Sequence, residues 1–143
     1  MDKPHSGHGH TCMEGYCRAL AHGAEWILQV DSDGQCDPSL FSVFANASLR
    51  HRAVYGFRCV RHDGYMRHLV SRIVSMCAFA ATSVWVRDAN VPYRLMHSSA
   101  LAEALHRVPA DFHLINVLMA VMQQERSGIH WTDIHFRRRS GGA

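Results

Sequence analysis

The residues best suited to chemistry lie in one short run, Trp26-Ile27-Leu28-Gln29-Val30-Asp31-Ser32-Asp33-Gly34-Gln35-Cys36-Asp37-Pro38. Asp31 and Asp33 are two residues apart, so in extended backbone both carboxylates point to the same side. Two such groups at the end of a buried strand repel each other unless a cation sits between them, and hard divalent cations prefer carboxylate oxygen. Gly34 then lets the backbone turn. The ordinary alternative is a strand running into a solvated Asp/Gly turn.

A strand over 25–30 must deliver this run; it is mostly apolar and β-branched at Ile27 and Val30. Ligand sites in open α/β sheets lie beyond the carboxyl ends of strands, where these carboxylates fall. Upstream, residues 1–10 read as loop, and Thr11-Cys12-Met13-Glu14 has the form of a capping box. Met13, Tyr16, Cys17, Leu20 and Ala21 then share one helical face, and Gly23 is the stop. Downstream, Asp37 is an N-cap and Pro38 the first residue of a helix to about Leu49, with Leu40, Phe41, Phe44 and Ala47 inward. Ala53–Val60 is a strand. Asp63 caps a helix over about 64–84 whose apolar face is Leu69, Ile73, Met76, Cys77 and Ala80. A short strand over 84–86, an irregular loop over 88–94 and a strand over 94–96 follow. A helix from Ser98 closes before Pro109. Asp111 caps another, with Phe112, Ile115, Leu118, Met119 and Met122 inward and Gly128 as stop. The last strand covers 129–137, and 140–143 is loop. Strands alternating with helices predict an α/β fold with a mostly parallel sheet flanked by helices.

The chain of 143 residues has room for a single domain with one core. A net charge of +3 without a basic stripe argues against nucleic acid as a partner. Five cysteines, odd in number and without a C-x-x-C pair, suit reduced thiols in the cytoplasm rather than a disulfide framework. The N-terminus has no signal-peptide pattern, and no apolar stretch is long enough to span a membrane. His5, His8 and His10 mimic a metal tract, but nothing downstream completes it.

Asp31-Ser32-Asp33-Gly34-Gln35, with Asp37-Pro38 after it, resembles the DxD motif of family 2 glycosyltransferases, which have the GT-A (Rossmann-like) fold. The nearest likeness is to the branch similar to dolichol-phosphate-mannose synthase, where the motif reads D-x-D-x-Q followed by D-P. The resemblance implies an inverting hexosyl transfer from a UDP- or GDP-linked sugar to a lipid-phosphate, saccharide or other hydroxyl acceptor. It implies that Asp33 ligates Mg²⁺ or Mn²⁺, that Asp31 contacts the metal or the nucleotide sugar, and that Gln35 is a third metal-side ligand. Such an ion neutralises charge developing on the departing diphosphate.

Other segments fit the same family. Gly7-His8-Gly9-His10 resembles its glycine-rich stretch, where Gly7 and Gly9 would let backbone approach the nucleotide sugar. Arg58 after the second strand, and Arg72 in Ser71-Arg72, match arginines that bind phosphate through their fork. The ordinary alternative for each is a solvated or carboxylate-paired arginine. Asp88 falls in a segment resembling the acceptor-side loop. There it is the base, or, with a lipid-phosphate acceptor, it positions that acceptor; otherwise it starts an Asx-turn. Arg94 pairs with Asp88 or with phosphate. Arg139-Ser140-Gly141-Gly142 resembles the R-x-x-G segment over the diphosphate, although a basic run is more often a solvated face.

The family's opening strand, with its V-x-x-P-x-x-N-E-type base-binding motif, has no match. The expectation is therefore one truncated catalytic domain over 1–143, incomplete at its N-terminal side, with an apolar strand edge left open. Such a chain turns over little alone. A lipid-phosphate acceptor implies peripheral association with the inner face of a membrane, and an open sheet implies a homodimer or partner chain completing it. The competing expectation is a non-catalytic remnant that acts as an interaction module through the 64–84 helix.

Overall fold

The computed structural model describes residues 8–31, 35–60, 65–91, 93–108 and 114–135. They form α1 (His8–Ala21), β1 (Trp26–Val30), α2 (Leu40–Ser48), β2 (Ala53–Val60) and α3 (Tyr65–Thr82). β3 (Tyr93–His97), α4 (Ser98–Leu105), α5 (Ile115–Arg126) and β4 (His130–His135) complete the order. The fold is α/β, a four-stranded mixed sheet flanked by helices.

The strand order is β1-β3-β2-β4. β3 is antiparallel to both β1 and β2, whereas β2 and β4 are parallel. The mostly parallel sheet expected above is corrected accordingly: two of the three ladders are antiparallel. The connection from β2 returns to the end of the sheet it left, so β3 re-enters reversed. β1, β2 and β4 nonetheless share one direction, and their carboxyl ends, with the start of β3, meet at one end of the sheet.

Register fixes what each face carries. Gln29, Arg94 and Tyr55 form one row, and Leu28, Leu95 and Val54 the neighbouring row on the opposite face. Phe44 of α2 packs on Tyr93 with ring centroids 4.6 Å apart, which seats α2 on the Tyr93–Leu95 face. α1 and α5 take the other face, where Tyr16 donates to Gln29 Oε1 and Tyr55 donates to Gln123 Oε1 at 2.8 Å. Phe44, Tyr55, Met96, Leu101, Ile115, Met119 and Ile134 are fully buried, each contributing about 1.5–3 kcal/mol. Among the described strands β1 is an edge strand, with Leu28 39% and Val30 41% exposed.

Local signals account for most boundaries. Gly23, at φ +72°, ends α1 in a Schellman motif: Ala24 N donates to Ala19 O at 3.1 Å and Gly23 N to Leu20 O at 3.0 Å. Asp37 Oδ1 accepts from Ser39 N at 3.0 Å, which caps the turn leading into α2. Gly128, at φ +70°, follows α5.

Several expectations need correction. α1 starts at His8, so Gly9 lies in its first turn and Thr11 is not its cap. Its inward stripe runs through Cys12, Tyr16 and Ala19, leaving Cys17 and Ala21 exposed. Phe41 is 50% exposed, because α2 turns Phe44 to the core instead. α3 presents Ser75, buried at 4%, to the interior, while Ile73, Met76, Cys77 and Ala80 face out. Its apolar residues ring the helix, so composition alone did not reveal the inner side. Residues 84–86 form no strand; Ser83, at φ +58°, turns the chain into irregular backbone. Asp63, Asp111, Phe112 and the Leu69 side chain lie outside the described residues. None of the five cysteines is disulfide-bonded.

Candidate functional site

β1 ends at Val30, so Asp31 leaves the sheet where three strands finish. Asp31 is half-buried and Gln35 is buried at 5% exposure. Asp33 lies between them, outside the described residues, as do Gly7 and Arg139. Cys36 and Asp37 lie beside the start of β3: burial, with these two nearby, pushes the Tyr93 phenol up from its ordinary value. Oxygen from Asp31 and Gln35 is the donor chemistry that a hard divalent cation takes. Among the described residues no group of three or more His, Cys, Asp or Glu is poised around a metal.

Across this end of the sheet lies a clamp that sequence reasoning treated as separate parts. Arg58 Nε and Nη2 donate to Asp88 Oδ2 and Oδ1 at 2.7 and 2.8 Å, a bidentate pair. The two side chains are 11% and 0% exposed. Arg58 was expected to meet phosphate and Asp88 to act on an acceptor; in the structure they hold each other. An Asp88 whose two oxygens both accept from Arg58 is placed to fix its loop rather than to take a proton.

Arg94 was expected to pair with Asp88 or phosphate. It is fully buried, and it donates to three backbone carbonyls: Ala89 O at 2.9 Å, Val91 O at 2.8 Å and Asn116 O at 2.9 Å. Its guanidinium lies over the Tyr55 ring, 4.7 Å from the centroid. It is therefore an internal strut from β3 to the 88–91 loop and α5. Arg72 is exposed on α3, and Gly9 is helical rather than part of a loop.

The sequence reading missed the polar layer beneath Asp31. Tyr16 donates to Gln29 Oε1, and Gln29 Nε2 lies 3.5 Å from Asn116 Oδ1 and 3.8 Å from Cys12 Sγ. Burial pushes the Tyr16 phenol far up, against an opposing effect of Arg94; Asp31 adds to the rise. The Cys12 thiol is raised by burial too, with Arg94 opposing and Asp31 adding. Arg94 and Asp31 thus act in opposite senses on the same two groups. One signal was available: Gln29 is the lone polar residue in an apolar strand, and a buried amide needs partners.

Gly56 makes room for the packing beside the clamp. A Cβ there would collide with Ile134 Cδ1 and stand 3.3 Å from Val91 Cγ2, and Val91 ends the turn that carries Asp88.

No protein-family model matches the chain, and no curated protein is significantly similar to it.

Proposed function

We propose that the chain is a glycosyltransferase catalytic domain of GT-A type whose site is the carboxyl end of this sheet. The observation that carries this reading is that Asp31, just past the end of β1, and the clamped Asp88 loop, just ahead of the reversed strand β3, lie at the same end of the sheet. Asp31, Asp33 and Gln35 would hold Mg²⁺ or Mn²⁺, whose charge would stabilise the leaving diphosphate of a UDP- or GDP-linked sugar. The acceptor oxygen attacks the anomeric carbon from the far side; the bond to the diphosphate breaks and its electron pair leaves with the diphosphate. Because Arg58 engages both Asp88 oxygens, the reading favours an acceptor that needs no strong base, such as a lipid phosphate, over a neutral saccharide hydroxyl. Asp88 then orients the acceptor-side loop.

The test is calorimetric titration of Mn²⁺ with UDP- and GDP-sugars into the chain and into Asp33→Ala. Metal-dependent binding that disappears in the variant is expected. Absence of binding in the unmodified chain, with either donor, favours the second reading, an interaction module. That reading draws on the exposed apolar side of α3.

A further inference from the structure

The outward side of α3 plays no part in the site described above. Arg72, Ile73, Met76, Phe79 and Ala80 are exposed there, with Ile73 at 49%, Met76 at 62% and Phe79 at 45%. At ~100° per residue these five fall within an arc of about 120°. Trp85, 54% exposed, prolongs the stripe beyond the helix, its ring edge-on to Phe79 with centroids 5.9 Å apart. A contiguous exposed patch of this kind marks a surface with a partner.

Charge identifies the partner. From Tyr65 to Arg87 the chain carries Arg67, His68, Arg72 and Arg87 but no Asp or Glu. Arg87 lies over the Phe57 ring, 4.3 Å from the centroid, which fixes one positive charge at the Trp85 end. A helix with aromatic and aliphatic residues on one side, arginine beside them and no acidic group has the make-up of a helix lying in the plane of an anionic membrane surface. Trp suits that boundary, with an apolar body and one polar N–H. No described helix is long and apolar enough to cross the bilayer instead. A second copy fits less well, because a two-fold contact would set this arginine-bearing stripe against itself.

We propose that the outward side of α3, continued by Trp85, is a docking surface for an anionic lipid bilayer. The proposal does not depend on the sugar-transfer reading, since it needs neither donor nor metal. Trp85 stands three residues before Asp88, so docking would bring the clamped loop to the lipid boundary.

The test is co-sedimentation of the full chain with phosphatidylcholine vesicles, with and without phosphatidylglycerol, in the absence of nucleotide. Binding to the anionic vesicles is expected, falling as salt is raised. A Phe79→Ser/Trp85→Ser double variant should bind about tenfold more weakly through lost apolar contact. Arg72→Glu/Arg87→Glu should lose about tenfold or more on anionic vesicles. These charge reversals also supply the test if the serine variant misfolds. Failure to sediment, equal binding to neutral vesicles, or a self-associated chain that both double variants render monomeric would overturn the proposal.

Discussion

Asp31 and Asp88 reach the same end of the sheet, one from β1 and the other from the loop ahead of β3, and the fold treats them differently. Asp88 has a wholly buried side chain whose two oxygens accept from Arg58. Asp31 stays half-buried at a strand end. A carboxylate gripped at both oxygens in the interior holds architecture in place; a half-buried one at a strand end is reached by solvent. In sequence both look like acidic site residues, and only their surroundings assign them different work.

The largest effect should come from breaking the clamp. Arg58→Met leaves Asp88 charged in the interior without this partner and should destabilise the fold by about 3–5 kcal/mol, as for other broken buried pairs. Urea unfolding measures this, and Arg58→Met/Asp88→Asn should recover part of the loss. A cost below about 1 kcal/mol would mean that the pair behaves like a surface ion pair. Gly56→Ala comes next. The added methyl meets Ile134 and Val91, so a loss of about 1–3 kcal/mol is expected from overpacking. Ile134→Val in the same chain should relieve part of it.

Asp31→Asn should cost less unfolding stability than Arg58→Met, because the Asp31 side chain is half-buried rather than wholly buried, while removing metal binding. The smallest effect concerns the far edge of the sheet. Burial lowers the His130 imidazole below its ordinary value of 6.5, and His51, stacked at 4.3 Å, lowers it further. The unfolded chain therefore takes up this proton at higher pH than the folded one. Stability is full above about 6.5 and declines as pH falls through the lower folded value. His130→Gln should flatten the acid side of the stability–pH curve between pH 7 and 5, seen by thermal melts.

Much of the scaffold was legible because its signals are local. The apolar run at Trp26–Val30, the strand at Ala53–Val60, the Asp37 turn and the glycines at 23 and 128 each act within a few residues. What escaped is non-local. The direction of β3 depends on which end of the sheet the preceding chain reaches, and alternation of elements does not encode that. Arg58 and Asp88 are thirty residues apart, and nothing in either segment names the other. Arg94 resembled a phosphate ligand because its carbonyl partners are backbone groups, which leave no mark in the residue types. The inner side of α3 was misassigned because Ser75 is polar and small, whereas the exposed Ile73, Met76 and Phe79 are the residues that hydrophobicity favours.

The contrast between the two aspartates is tested most directly by following Mn²⁺ binding, through water-proton relaxation, in Asp31→Asn and Asp88→Asn alongside the unmodified chain, each held well below its own melting temperature. The account predicts that Asp31→Asn loses less melting temperature than Asp88→Asn yet no longer holds Mn²⁺, while Asp88→Asn still holds it. Mn²⁺ affinity that survives in Asp31→Asn, or that vanishes only in Asp88→Asn, would contradict it.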